Sequence, residues 1–202
     1  MIRAIFLDVD GTLISFSTHE IPASALRALA QAHERGVRLF IATGRAANDL
    51  GPLEGIPYDG VVSLNGARCV ANDGRVVSLH PIPRADFERA LALSEEQDFA
   101  MGLELEEGVF VNRVTPDVER VAHMVAHPVP EQTDLRELFG RVECCQLCFY
   151  FDAETQRRVM TELPTLAASR WCPIFADVNV AGIDKATGME EFMRSYGFSA
   201  AE

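Results

Sequence analysis

Short, almost wholly apolar runs alternate along this chain with longer stretches whose apolar residues recur at helical spacing. Ile2 to Val9 is a run of the first kind, which suits a strand buried on both faces of a parallel sheet. Pro22 then opens a helical segment, because its ring presets the helical φ and a first turn does not miss its N–H. Leu26, Leu29, Ala30 and His33 recur along that segment until Gly36 stops it. A second apolar run, Val37 to Ala42, ends in Thr43-Gly44-Arg45. Strand, helix, strand in that order is a βαβ unit, and its crossover should be right-handed. A third run, Val61 to Leu64, ends in Asn65-Gly66, and Asn72-Asp73-Gly74 marks a hairpin turn between Cys69-Val70 and Val76-Val77.

The rhythm changes after Pro81 and Pro83. Phe87, Ala90, Leu91 and Ser94 outline a helix, and Met101 to Leu105 and Val109 to Val114 read as strands hinged at Glu107-Gly108. Thr115-Pro116-Asp117 is a helix start, with a capping hydroxyl, a proline in the first position and an acid in the first turn. That helix carries Val118, Val121, Met124 and Val125. A strand over Gln146 to Phe151, a helix over Ala153 to Leu163, and two strands around Trp171 and Ala176 to Val180 complete an αββαβαββ layer. Lys185 begins a last amphipathic helix through Met189, Phe192, Met193 and Tyr196, closed by Gly197. The fold expected is therefore α/β: a Rossmann-like core of residues 1–82 and 182–202, with an α+β cap, residues 83–181, inserted after the third core strand.

Composition narrows the function more than the fold. A net charge of −12 argues against a nucleic-acid partner, since such binding is largely counterion release by Lys and Arg. No stretch approaches the ~20 apolar residues of a membrane span, and Met1-Ile2-Arg3 leads directly into a strand without the pattern of a secretory leader. The five cysteines, Cys69, Cys144, Cys145, Cys148 and Cys172, are an odd set for which reduced thiols are the default. The expected address is the cytoplasm.

The candidate chemistry begins at FLDVDGTL, residues 6 to 13, where Asp8 and Asp10 follow an apolar strand. Left in a core, such a pair would cost on the order of several kcal/mol. In open α/β sheets ligands bind outside the carboxyl ends of the strands, and Asp8, Asp10, Thr43 and Asn65 all fall at that edge. Two carboxylates there suit Mg²⁺, which prefers oxygen ligands and completes its shell with phosphate and water. They also suit a division of labour, one attacking phosphorus while its neighbour handles protons. Thr43 offers a hydroxyl, Gly44 a close backbone approach, and Lys185 a positive charge for phosphoryl oxygens.

Together, DVDGT at 8–12, ATGR at 42–45, LNGA at 64–67 and VNVAGIDKATG at 178–188 resemble the haloacid dehalogenase superfamily, and within it the Cof-type sugar-phosphatase branch with a large α/β cap. The resemblance covers the whole chain. It implies that Asp8 is the nucleophile that becomes aspartyl phosphate and that Asp10 is the general acid and base. It further implies that Thr43 and Lys185 bind the phosphoryl group, and that Asp8 and the Asp10 backbone carbonyl bind Mg²⁺. An aspartate at position 10, rather than the threonine of ion-pumping relatives, implies hydrolysis of a phosphate ester. The family also carries a GDGxND motif on the strand after the Lys185 helix, whereas this chain ends at Ser199-Ala200-Ala201-Glu202. The expectations that follow are a core sheet incomplete at its C-terminal side, a shortened form of a longer phosphatase, and poor turnover or none. Asp177 and Asp184 are candidate stand-ins for the absent acids, although Asp184 reads more simply as a helix N-cap.

Blander readings stand beside these. Arg45 serves equally as a surface ion pair or a substrate contact, and Asn65-Gly66 reads first as a turn needing positive φ. Lys185 sits at a helix N-terminus, where a cation is disfavoured unless an anion is near. Cys144-Cys145-x-x-Cys148 reads as buried thiols rather than a zinc site. Glu104 to Glu107 reads as a solvated hairpin and Trp171 as a cap core residue, and none of His19, His33, His80, His123 and His127 is assigned to catalysis. The substrate expected is a small phosphorylated metabolite, a sugar phosphate first and a phosphorylated cofactor such as pyridoxal or flavin phosphate next. The rival classes are a phosphosugar mutase, a phosphorylation-controlled signalling domain, and a catalytically silent phosphate-binding protein.

Overall fold

Three of the apolar runs become neighbouring parallel strands. In the computed structural model, which describes residues 2–202 other than Phe16, His19, Glu54 and the side chain of Pro52, β1 (Ala4–Leu7) is followed by α1 (Ala23–Glu34), β2 (Arg38–Ala42) and β3 (Gly60–Ser63). Leu7 lies beside Ile41 and Ala42 beside Val62, so all three strands end on one edge. The hairpin β4 (Arg68–Ala71) and β5 (Val76–Leu79) adds antiparallel, giving the order β1-β2-β3-β4-β5. Leu39, Phe40, Ile41 and Ala42 are fully buried, as a strand covered on both faces requires. The first strand is shorter than the apolar run because the chain leaves it at Asp8, where Leu13 N–H bonds the Asp8 carbonyl and Ile14 N–H the Val9 carbonyl.

The chain forms two units, Met1–Leu79 with Ile183–Glu202 and, inserted between those segments, His80–Gly182. The inserted unit runs α2 (Arg84–Glu96), β6 (Ala100–Leu105), β7 (Gly108–Val111), α3 (Pro116–Met124), β8 (Glu131–Gln132), α4 (Leu135–Phe139), β9 (Gln146–Tyr150), α5 (Ala153–Thr161), β10 (Leu166–Cys172) and β11 (Phe175–Val180). Its six-stranded sheet has the order β10-β11-β9-β6-β7-β8. One face, with Met101, Leu103, Leu147, Phe149 and Val178, packs against Phe87, Leu91, Leu135 and Val159. The other carries Ala100, Val111, Cys148, Tyr150 and Phe175, with Val118 and Val121 of α3 against it.

Two elements here lie outside the expected αββαβαββ order. Strand β8 has only exposed polar side chains and α4 only two buried ones, Leu135 and Phe139, so neither shows a period. Trp171 departs from expectation too: it is 48% exposed, with its ring 5.2 Å from that of Phe175. It lies on edge strand β10, where Ala167, Ser169 and Trp171 alternate outward.

The last helix, α6 (Lys185–Tyr196), belongs to the first unit. The Asp184 carboxylate caps it by accepting from Thr187 N–H at 2.8 Å, and Gly197 closes it at φ 69°. Phe192 is fully buried, its ring 4.7 Å from that of Phe40. No helix among the described residues is long and apolar enough to cross a membrane.

Candidate active site

Strands β1, β2 and β3 deliver Asp8, Thr43 and the Leu64-Asn65-Gly66 turn to the same edge, and α6 brings Lys185 to it. Lys185 Nζ lies 2.9 Å from Asp8 Oδ1, and the same oxygen accepts the Val9 backbone N–H at 2.8 Å. The lysine that its helix position disfavours thus has its anion. Arg45 closes a two-toothed fork on Asp10, Nε to Oδ2 at 3.0 Å and Nη2 to Oδ1 at 2.7 Å. Of the two readings of Arg45, the ion pair is the one this arrangement displays.

Backbone bonds lace the remaining pieces together. Arg45 N–H donates to Thr43 Oγ1 at 3.1 Å, Asn65 N–H to the Thr43 carbonyl and Leu64 N–H to the Arg45 carbonyl, each at 3.0 Å. Thr43 is fully buried. Leu64 and Asn65 hold left-handed φ of 49° and 55°, so the expected positive-φ turn is present. A Cβ on Gly44 would come within 3.1 Å of Asn65 Oδ1, which shows how closely the two turns approach.

Two glycines let α6 approach. A Cβ on Gly66 would lie 1.9 Å from the Asp184 carbonyl oxygen, and one on Gly188 would lie 2.5 Å from Val62 Cγ1 and 3.0 Å from Cys69 Sγ. Lys185 reaches Asp8 through that approach. Neither close contact is encoded as a local pattern; the only hint is a glycine in the second turn of a helix, at a cost of ~1 kcal/mol relative to alanine.

Oxygen donors suited to a hard cation are present. Asp8 Oδ2 and the Asp10 backbone carbonyl accept no hydrogen bond from the described residues. Asp184 is occupied as the α6 cap, which holds its carboxyl below the ordinary value through the Thr187 N–H. Asp177 lies in the inserted unit beside Glu104 and Cys148. Thiol nucleophiles are disfavoured by burial, which pushes Cys69 up to about 11 and Cys144 up to about 12. His33 sits 3.9 Å from Asp59, at the far end of β2, and His19 lies outside the described residues.

The sequence profile of the haloacid dehalogenase-like hydrolases matches residues 5–202. The chain belongs to this family. It is similar to the solved structure of BT1666, a phosphatase of the superfamily from Bacteroides thetaiotaomicron, with 53% identity, a TM-score of 0.95, all of this chain covered and 75% of that one. It is also similar to BT4131, a subclass IIB sugar phosphatase, with 30% identity, a TM-score of 0.87 and coverage of 98% and 77%. A putative phosphatase, YkrA of Bacillus subtilis (strain 168), is 24% identical over 99% of this chain and 77% of its own. With the family and these relatives on hand, this haloacid dehalogenase-like protein is a phosphoric monoester hydrolase. The motif residues of the hydrolase, Asp8, Asp10, Thr43, Gly44, Arg45, Asn65 and Lys185, all lie in the first unit.

Proposed function

We propose that this enzyme hydrolyses a small phosphorylated metabolite through an aspartyl phosphate on Asp8. The observation that carries the reading is the state of the Asp8 carboxylate. Oδ1 is held by Lys185 and the Val9 N–H, which fixes the group in place and leaves Oδ2 without a hydrogen bond among the described residues. A carboxylate fixed by one oxygen and open at the other suits in-line attack on phosphorus.

In the first step an Asp8 oxygen forms a bond to phosphorus while the ester P–O bond breaks, and Asp10 gives the leaving oxygen its proton. In the second, water attacks phosphorus, Asp10 takes the water proton, and the Asp8–phosphorus bond breaks to release inorganic phosphate. With the Arg45 fork closed, both Asp10 oxygens act as acceptors. Each oxygen keeps a second lone pair, which can carry the transferred proton while the fork holds the carboxyl in place. Thr43 and Lys185 bind phosphoryl oxygens, Lys185 neutralising charge as the group transfers, and the turns at Gly44 and Asn65 shape the cradle. Asp8 and the Asp10 carbonyl hold Mg²⁺, which supplies charge neutralisation at the phosphoryl oxygens when bound.

Residues 83–181 act as the cap that sets specificity, and a sugar phosphate is the substrate class favoured by the resemblance to the sugar phosphatase BT4131. The five cysteines are buried free thiols, in keeping with a reducing cytoplasm.

The test is a pair of measurements on the intact chain. Beryllium fluoride with Mg²⁺ should form an adduct on Asp8, and the Mg²⁺-dependent turnover of a generic aryl phosphate, slow in the unmodified chain, should fall to background in Asp8→Asn. Chelation should remove the same turnover. Turnover preserved in Asp8→Asn, or a mimic bound away from Asp8, refutes the assignment.

A further inference from the structure

The inserted sheet is satisfied in its interior and open along one edge. Glu104, read from sequence as part of a solvated hairpin, is half-buried on central strand β6, and Gln146 Nε2 ties it to Asp177, donating to Glu104 Oε2 at 2.7 Å and to Asp177 Oδ1 at 3.2 Å. Strand β10 is an edge strand with β11 as its neighbour. Ala181 N–H donates to the Thr165 carbonyl at 2.8 Å, which fits the register of Leu166 opposite Val180. In that antiparallel ladder Ala167 and Ser169 bond β11. Ala168 and Arg170 turn both N–H and C=O to the outer edge, where no described residue takes them.

Edge strands are ordinarily guarded by a charge, a proline or a bulge. From Leu166 to Arg170 β10 has no proline, and its bulge falls after that stretch, between Arg170 and Cys172. Its one charged residue is turned away from the edge. Arg170 Nη1 donates to the carbonyls of Phe151, Cys172 and Pro173, Nε donates to Gln156, and the guanidinium lies 5.3 Å from the centre of the Phe151 ring. On the opposite face the outward side chains are Ala167, Ser169 and Trp171, all exposed and uncharged. Trp171, the extra residue of the bulge, has no register partner on β11.

We propose that β10 pairs with β10 of a second copy of this chain, antiparallel about a twofold axis at Ser169. One register satisfies every free group. In it Ala168 of each copy faces Arg170 of the other, and the two exchange both backbone bonds. Slipped by two residues one way, Arg170 faces Leu166, whose N–H is already given to the Leu163 carbonyl at 3.0 Å; slipped the other way, Arg170 faces Arg170. The outward side chains complement themselves in the same register. Ser169 meets Ser169, and the large Trp171 of each copy lies over the small Ala167 of the other. Such an isologous contact closes at two copies. It lies wholly within His80–Gly182, so it stands or falls separately from the role of Asp8.

Sedimentation equilibrium of the full chain from ~1 to ~500 µM reads the contact directly. A short strand pair with one tryptophan per copy is a small interface, so a reversible dimer with a dissociation constant on the order of 10 µM is expected. Trp171 is the only tryptophan in the sequence, and its emission should shift to the blue over the concentration range in which the mass doubles. Ser169→Lys sets like charges face to face and should raise the dissociation constant at least ~10-fold with circular dichroism unchanged. Ser169→Cys sets two thiols across a non-hydrogen-bonded pair with Cα atoms about 4.5 Å apart, so mild oxidation should link two copies, the native cysteines being buried. A chain monomeric throughout would leave the edge to a strand of another protein and overturns the proposal. A mass that doubles without the blue shift, a folded Ser169→Lys variant that dimerises undiminished, or a Ser169→Cys dimer that does not crosslink overturns it equally.

Discussion

At Gly66 the backbone sits at φ 98°, and the Asp184 carbonyl occupies the place a side chain would take. Gly66→Ala combines left-handed strain with a backbone clash that no rotamer relieves, so about 2–4 kcal/mol of destabilisation is expected. Relief comes by moving the start of α6, which also pulls Lys185 from Asp8. The variant should therefore melt lower and bind inorganic phosphate more weakly than Gly74→Ala, a positive-φ control with open space around it. Equal phosphate affinity in the two variants would show that the close approach does not position Lys185. Sequence alone presents Gly66 as a turn residue, which it is. Its larger role depends on a backbone oxygen brought against it from the far end of the chain, and no local pattern carries that information. Arg45 is similar: its charge is plain in the sequence, but only the facing ends of β1 and β2 make it a fork on Asp10.

Helix α6 is held by its ends. Asp184 caps the N-terminus, so Asp184→Ala should lower stability by about 1 kcal/mol at pH 7, read as a shift in the urea midpoint at constant slope. The Thr187 N–H holds the Asp184 carboxyl below its ordinary value of 3.8, so the cap's stabilisation is fully present above that value and is lost as pH falls through the lower folded-state value. The gap between variant and parent should accordingly be constant from pH 7 to about pH 5 and shrink below pH 4. A gap that stays constant to pH 2 would assign the effect to helix propensity instead. Elements of this length with a clear period or a cap were legible in the sequence: the βαβ start, the Asn72-Asp73-Gly74 hairpin, α3 behind Thr115 and α6 behind Asp184. Strand β8 and helix α4 were not, because two polar strand residues and a five-residue helix with Leu135 and Phe139 inward hold too few positions to show a period. Glu104 and Trp171 were misplaced for a related reason. Burial of a polar strand residue, and exposure of an aromatic one, depend on which strands lie beside it, and the order β10-β11-β9-β6 is not a local property.

Over the whole molecule, 18 basic and 30 acidic side chains leave −12. Charges at the motif residues compensate one another, Lys185 against Asp8 and Arg45 against Asp10. With Mg²⁺ bound, the cradle is positive at close range, and a phosphate ester dianion reaches it through a longer-range field set by the excess of acids. At ~10 mM ionic strength the Debye length is about 30 Å and much of that excess is felt; at ~150 mM it is about 8 Å and only nearby groups count. Screening should then help the substrate. With Mg²⁺ held saturating, kcat/KM for an anionic aryl phosphate is expected to rise by roughly twofold or more between those two salt concentrations, with kcat nearly constant. The sign decides which field governs capture. A kcat/KM that falls with salt would mean that Lys185, Arg45 and the bound cation attract the ester over distances longer than the repulsion of the acidic surface.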